Sequence, residues 1–387
     1  MRSFVLLIFF LSLFVFQNTY SQVVQTSDNY YNGAFNELYL RRQPSPRSEA
    51  MGRTGVTNTT GDFASFYNPA LSSLNSGITF NVSYSSPYYR TYSNSFGYID
   101  SSSFNYIGIA YTNPKIGSIG FSRDFWTLGT DIIFTDKTGN ETGEERGPFT
   151  QSIYKLNYSK EIIKNLYAGL NIGFHHFESP GLKANNPITL DIGILKNFEL
   201  ATTNKFKHNL QLGIAAYNIT NSKFTLTYPS TYIPPISGEY KDPLPVIVRA
   251  GGSYNLKLKG GGLIPNGNLI ESTTILEFQS VVNEGYDKII KFGEEVLISE
   301  IFAIRFGYFT QKLDTYNDPY GYNAKEQHQF TYGAGLNIPL DIIFGMKKPL
   351  MLKFDYVNMT PPSFINPPIV FENFNSFGLS LNWKPGF

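Results

Sequence analysis

Cysteine is absent from this chain, histidine is scarce at four residues, and charged residues make up only 16% of it. The first absence excludes a disulfide scaffold, a thiol nucleophile, a thiolate metal site and a lipid anchor through an N-terminal cysteine. The few histidines are badly placed for chemistry. His175 and His176 are adjacent, so on a strand they face opposite ways and cannot share a metal. Glu294 and Glu295 are divided in the same manner. No Gly-x-Ser-x-Gly elbow, phosphate loop or His-Glu-x-x-His motif occurs. Neither catalysis, a metal nor a cofactor is therefore expected.

Long apolar runs are missing as well. The one stretch of that kind, Phe4 to Phe16, falls short of the ~20 residues that a membrane-spanning helix needs. With Arg2 before it and small residues at Thr19 and Ser21, it reads as a secretory signal over residues 1–21, cleaved before Gln22. Removing Arg2 from 31 basic residues leaves 30 against 30 acidic ones, so no net charge recruits nucleic acid or an anionic surface.

Aromatic residues and glycine are plentiful: 27 Tyr, 33 Phe and 34 Gly form an inventory suited to pleated surfaces and tight turns. Their order shows period-two alternation. Ile78, Phe80, Val82 and Tyr84 share one parity against Thr79, Asn81 and Ser83, and Phe302, Ile304, Phe306 and Tyr308 face away from Arg305 and Gly307. The second parity is too polar for a sandwich core. Fourteen such segments are expected, near 77–86, 103–112, 116–126, 150–160, 165–177, 187–199, 206–218, 244–257, 270–281, 287–298, 301–310, 327–338, 349–358 and 374–383. Most have the ~9–11 residues or slightly more of a tilted transmembrane strand, rather than the ~5–6 of a soluble one.

Connections supply a second test. On these boundaries the odd-numbered ones average about 16 residues and the even-numbered ones about 6, the asymmetry between external loops and periplasmic turns in outer-membrane barrels. Phe377, Leu379, Leu381 and Trp383 alternate toward an aromatic end at Phe387, as expected of a terminal barrel strand. The fold class is thus all-β: a transmembrane antiparallel β-barrel over residues 77–387 in the outer membrane of a Gram-negative bacterium, with lipid around it.

Residues 22–76 do not alternate and are too few for a second core, so they are expected to form a plug or lumenal segment. Within them Asn68 suits an N-cap, Pro69 a first helical residue and Ala70 the turn that follows, while Gly52 and Gly55 permit close backbone approach. The run Arg47-Ser48-Glu49-Ala50-Met51-Gly52-Arg53-Thr54-Gly55-Val56, followed by Gly61-Asp62-Phe63-Ala64 and Asn68-Pro69-Ala70-Leu71, resembles the N-terminal region of FadL-like outer-membrane proteins, especially their PorV/PorQ branch. Phe292-Gly293-Glu294-Glu295, Ala303 to Tyr308, Leu352 to Tyr356 and Phe377 to Leu381 follow in the order of that branch. The resemblance implies fourteen strands and an N-terminal plug. For function it implies an interaction component of type IX-like surface secretion, with envelope or secretion proteins as partners, which is the reading the proline-rich aromatic loops favour; the alternative it implies is a FadL-like transporter of hydrophobic small molecules.

Asp191, Arg249, Glu277, Arg305, Lys353 and Asp355 fall on polar parities, where they either brace a plug or line a solute path. Two loops are candidate partner or ligand surfaces. Loop 219–243 carries Phe224, Tyr228, Tyr232 and Ile236, and loop 359–373 carries Phe364 and Ile365 among several prolines. These rings either meet a partner or pack over the rim. The Asp314, Asn317 and Asp318 cluster reads as turn chemistry, since its spacing does not match a calcium loop.

Overall fold

Each alternating segment finds two antiparallel neighbours, and the ring they form leaves no free edge. The computed structural model describes residues 43–58, 63–85, 89–91, 99–135, 141–178, 183–227, 239–264, 267–283, 288–311, 327–359, 369–371 and 374–384. The expected signal segment, residues 22–42 and Asp62 lie outside them. The barrel strands are β1 (Gly77–Ser85), β2 (Ile99–Asn113), β3 (Gly117–Thr135), β4 (Glu141–Ile163), β5 (Leu166–Glu178), β6 (Ile188–Thr202) and β7 (Phe206–Tyr217). They continue as β8 (Ile247–Lys259), β9 (Asn268–Val281), β10 (Ile289–Ile298), β11 (Phe302–Gln311), β12 (Gln327–Pro339), β13 (Leu350–Met359) and β14 (Phe374–Trp383). Phe80 of β1 pairs with Ile109 on one side and Leu381 on the other, which closes a 14-strand antiparallel barrel. Closure removes the unpaired backbone groups that hydrocarbon does not tolerate.

The two parities separate cleanly. On β2, Ile107 and Ile109 are 46% and 52% exposed, whereas Tyr106 between β1 and β3 is buried. Phe121, Leu156, Ile172, Ile192, Ile214, Leu276 and Ile304 continue the exposed apolar wall around the outside. That band is the lipid-facing surface of an outer-membrane-type barrel. Glu294 and Glu295 do face opposite ways: Glu295 is buried in the lumen, and Glu294 sits on the outer wall accepting from Ser272 Oγ at 2.7 Å.

Two expectations need correction. β3 and β4 run well beyond 116–126 and 150–160, with Asp131 paired to Arg146 and Ile132 to Glu145. Residues 141–147 are polar on both parities, so backbone pairing continues there without an alternating signal. Loop 219–243 also contains strand: Lys223–Thr227 pairs with Glu239–Pro243 and with Lys183–Ala184.

Inside the ring lies the segment before β1. It holds α1 (Pro46–Ala50), α2 (Ala64–Tyr67) and a 3-10 turn (Pro69–Leu74). Ser45 caps α1, with Pro46 as its first residue. Asn68 caps the 3-10 turn by accepting from Ala70 N at 3.0 Å. Where this segment touches the wall, the wall residue is repeatedly glycine. Gly169 and Gly193 are paired in register and lie against Pro69 and Asn68; Gly213 and Gly251 are paired and lie against Val56. Gly293 and Gly307, also paired, take Met51 and Gly52, while Gly333 takes Ala50 and Gly378 takes Pro46. A Cβ on Gly307 would stand 1.9 Å from Gly52 N, so the wall admits this backbone only because it lacks side chains there.

Candidate functional site

The inner segment divides the lumen into three levels, and charge holds the middle one. Arg47 of α1 donates from Nε and Nη2 to the two carboxylate oxygens of Glu295, at 2.8 and 2.7 Å. Arg305 shares Glu295 and reaches Asp355 at 2.8 Å, so one network joins α1 to β10, β11 and β13. Such a bidentate guanidinium–carboxylate pair fixes orientation as well as charge. Glu277 accepts from the backbone N–H groups of Gly55 and Val56 at 2.6 and 2.9 Å, and pairs with Lys291 at 2.9 Å and Arg249 at 3.9 Å. Lys155 and Asp191 form a third pair at 3.3 Å, with Asp191 also accepting from Asn218 N. Arg53 and Glu49 form a fourth, within the inner segment itself. Among the described buried residues six cations face six carboxylates.

Toward the long-loop end the lining becomes apolar. Phe104, Trp126, Ile153, Phe177, Tyr217, Ile247 and Val281 project inward there, and Phe63, Phe66 and Tyr67 of the inner segment join them from below in one contiguous cluster. Phe224 enters from loop 219–243 and Leu244 from the residue that follows it. The Phe224 ring meets Phe177 edge-on at 6.0 Å between centroids and His175 at 6.1 Å. It therefore packs into the throat and is not displayed outward. Tyr228, Tyr232, Ile236, Phe364 and Ile365 lie outside the described residues.

Toward the short-turn end the lining is polar. A cavity of about 350 Å³ opens beneath the charged level, lined by Gln211, Asn255, Glu295, Asn337 and Lys353 and rimmed by Lys257 and Glu271, which pair at 2.9 Å. Lys353, on the same parity as Asp355, faces this vestibule and is only half-buried. Among the described residues no cluster of three metal-ligating side chains occurs.

The structure brings Arg249, Glu277, Arg305 and Asp355 into the braced level with Gly52, Gly55, Asn68, Pro69 and Ala70. Gly52 donates to Thr331 Oγ1 at 2.9 Å, and Asn68 Nδ2 donates to Val56 O and Ile194 O. Sequence reasoning missed Arg47, Glu49, Arg53, Lys155, Lys291 and Glu295. Lys155 shares its parity with Asn157, and Lys291 shares its parity with Gly293 and Glu295. Counting charges on the glycine-bearing parity of every strand would have found the strand members.

A scan of protein-family models returns no match, and neither does a comparison with curated proteins. Among solved structures the chain is similar to the toluene transporter TodX of Pseudomonas putida, at 10% identity and TM-score 0.45, over 89% of this chain and 98% of that one. The toluene transporter TbuX of Ralstonia pickettii gives 11% and 0.44 over 90% and 100%, and a FadL homologue of Pseudomonas aeruginosa gives 10% and 0.47 over 89% and 99%. At such identity the likeness concerns the barrel alone, and function has to follow from the residues inside it.

Proposed function

We propose that this protein carries apolar small molecules across the outer membrane, taking them into the throat from outside while residues 43–76 act as a plug beneath. The observation that supports this reading is the layering of the lumen: an apolar lining at the external mouth, an ion-paired brace below it and a polar, open vestibule on the periplasmic side. An apolar solute gains by leaving water for the throat. The brace then stops it, because an apolar molecule cannot replace the partners of Glu277 or Glu295 without leaving charges unpaired. Passage therefore requires the plug to shift, and the glycine-lined wall is where its backbone would slide. Of the charges expected either to brace or to line a path, Asp191, Arg249, Glu277, Arg305 and Asp355 are assigned the first role here.

The surface-secretion reading, which the sequence favours, rests on the PorV/PorQ-like C-terminal half and on the ring-bearing external loops. Phe224, the described member of that set, is buried in the throat and so supports solute contact instead. Purification from native membranes in mild detergent separates the readings. Transport predicts a bound apolar small molecule by mass spectrometry, without stoichiometric protein; secretion proteins in constant ratio and no small molecule would reverse the conclusion.

A further inference from the structure

Among the apolar side chains of the throat stand Asp124, Trp126 and Gln151, three polar groups on one stretch of wall. Asp124 and Trp126 lie two apart on β3 and face the lumen together, and Gln151 of β4 is directly across from Trp126 in the sheet register. All three are buried, at 1% exposure or less. Neither carboxylate oxygen of Asp124, neither polar atom of the Gln151 amide, nor the Trp126 indole N–H has a hydrogen-bond partner. The other five buried carboxylates are ion-paired, so Asp124 differs from every charge that the brace uses. Lys155, across the sheet on β4, is the cation that acts on Asp124, but it is held by Asp191 and gives Asp124 no hydrogen bond. Folded proteins pair nearly all their buried polar groups, and a buried carboxylate without hydrogen bonds is costly. Three such groups converging on one wall at the external mouth indicate that the missing partner arrives from outside.

Their chemistry selects that partner. Asp124 and the Gln151 carbonyl accept, whereas the Trp126 indole and the Gln151 amide nitrogen donate. A carboxylate head would face the Asp124 charge. An ammonium would satisfy the acceptors and leave both donors bare, and a plain hydrocarbon would leave everything bare. A hydroxyl donates to Asp124 and accepts from Trp126 or Gln151 at once. We infer that the throat is a binding site for an apolar solute bearing a hydroxyl head, with the hydroxyl seated among Asp124, Trp126 and Gln151 and the hydrocarbon against Phe104, Ile153 and Phe177. This rests on the transport reading and names its solute class.

Trp126 reports on the site itself. The chain has two tryptophans, and Trp383→Phe leaves Trp126 alone. The detergent-solubilised full chain carrying that change is titrated with benzyl alcohol, toluene and benzoate while Trp126 emission is followed. Benzyl alcohol should bind about tenfold tighter than toluene, the factor one net hydrogen bond gives, with benzoate weakest. Asp124→Leu should abolish the preference for the alcohol and leave toluene binding in place. Gln151→Leu should reduce that preference, and it serves if the first variant does not fold, as judged by mobility on an unboiled gel. Benzyl alcohol binding no tighter than toluene, or a preference that survives both variants, would overturn the head-group assignment while transport stands. If none of the three probes binds, the transport reading falls with it.

Discussion

Glu295 and Glu294 are neighbours of the same residue type whose removal should have opposite consequences. Glu295 is buried between Arg47 and Arg305, so Glu295→Gln strands charge in the lumen and should cost about 3–5 kcal/mol. Glu294 stands on the lipid-facing wall, beside Phe306 in register, and Glu294→Leu removes a carboxylate from hydrocarbon. Thermal conversion of the folded to the unfolded gel band should therefore fall for the first variant and hold or rise for the second. Equal losses would contradict the assignment of faces. Asn68 carries a smaller load: its cap is worth ~1 kcal/mol, but its amide also ties Val56 O and Ile194 O. Asn68→Ala should leave the barrel folded and speed proteolysis around residues 60–75, and unchanged cleavage would count against that role.

At the scale of elements, the glycine belt decides whether the inner segment stays seated. Gly307→Ala places a methyl on the Gly52 backbone, where no side chain can rotate away, and should expel the segment locally and open residues 43–58 to protease. Gly252→Ala is the control, since its Cβ meets the end of Leu212 at 3.1 Å and the Gln211 carbonyl oxygen at an ordinary contact distance of 3.5 Å. If both variants are cleaved alike, the belt is not what seats the segment. Much of this level was legible beforehand, because alternation assigns Asp191, Arg249, Glu277, Arg305 and Asp355 to one parity, and Asn68-Pro69 announces a capped turn. Other parts were not. The pairing of Arg47 with Glu295 joins residues that no local pattern relates, and the extended ends of β3 and β4 are held by backbone pairing in a stretch with no apolar parity. Lys353 shares Asp355's parity but stands two residues nearer the short-turn end, where the lining is already vestibule.

The whole molecule is a closed lipid-facing wall around an ion-paired, braced interior, apolar at one mouth and polar at the other. A ring of this kind should keep its compact form in unboiled detergent and partition with outer membranes; recovery as a soluble periplasmic protein would contradict the architecture. The inner segment is tied across the lumen through Arg47–Glu295 and through Glu277, so planar-bilayer conductance should be low for the wild type and rise for Gly307→Ala. The most direct measurement of the central claim is entry of a fluorescent apolar probe into intact cells that carry equal amounts of folded barrel or none. Entry should be faster with the wild-type barrel, faster again with Gly307→Ala, and slowed by benzyl alcohol in competition. Entry indistinguishable from barrel-free cells, with the protein correctly placed in the outer membrane, would contradict it.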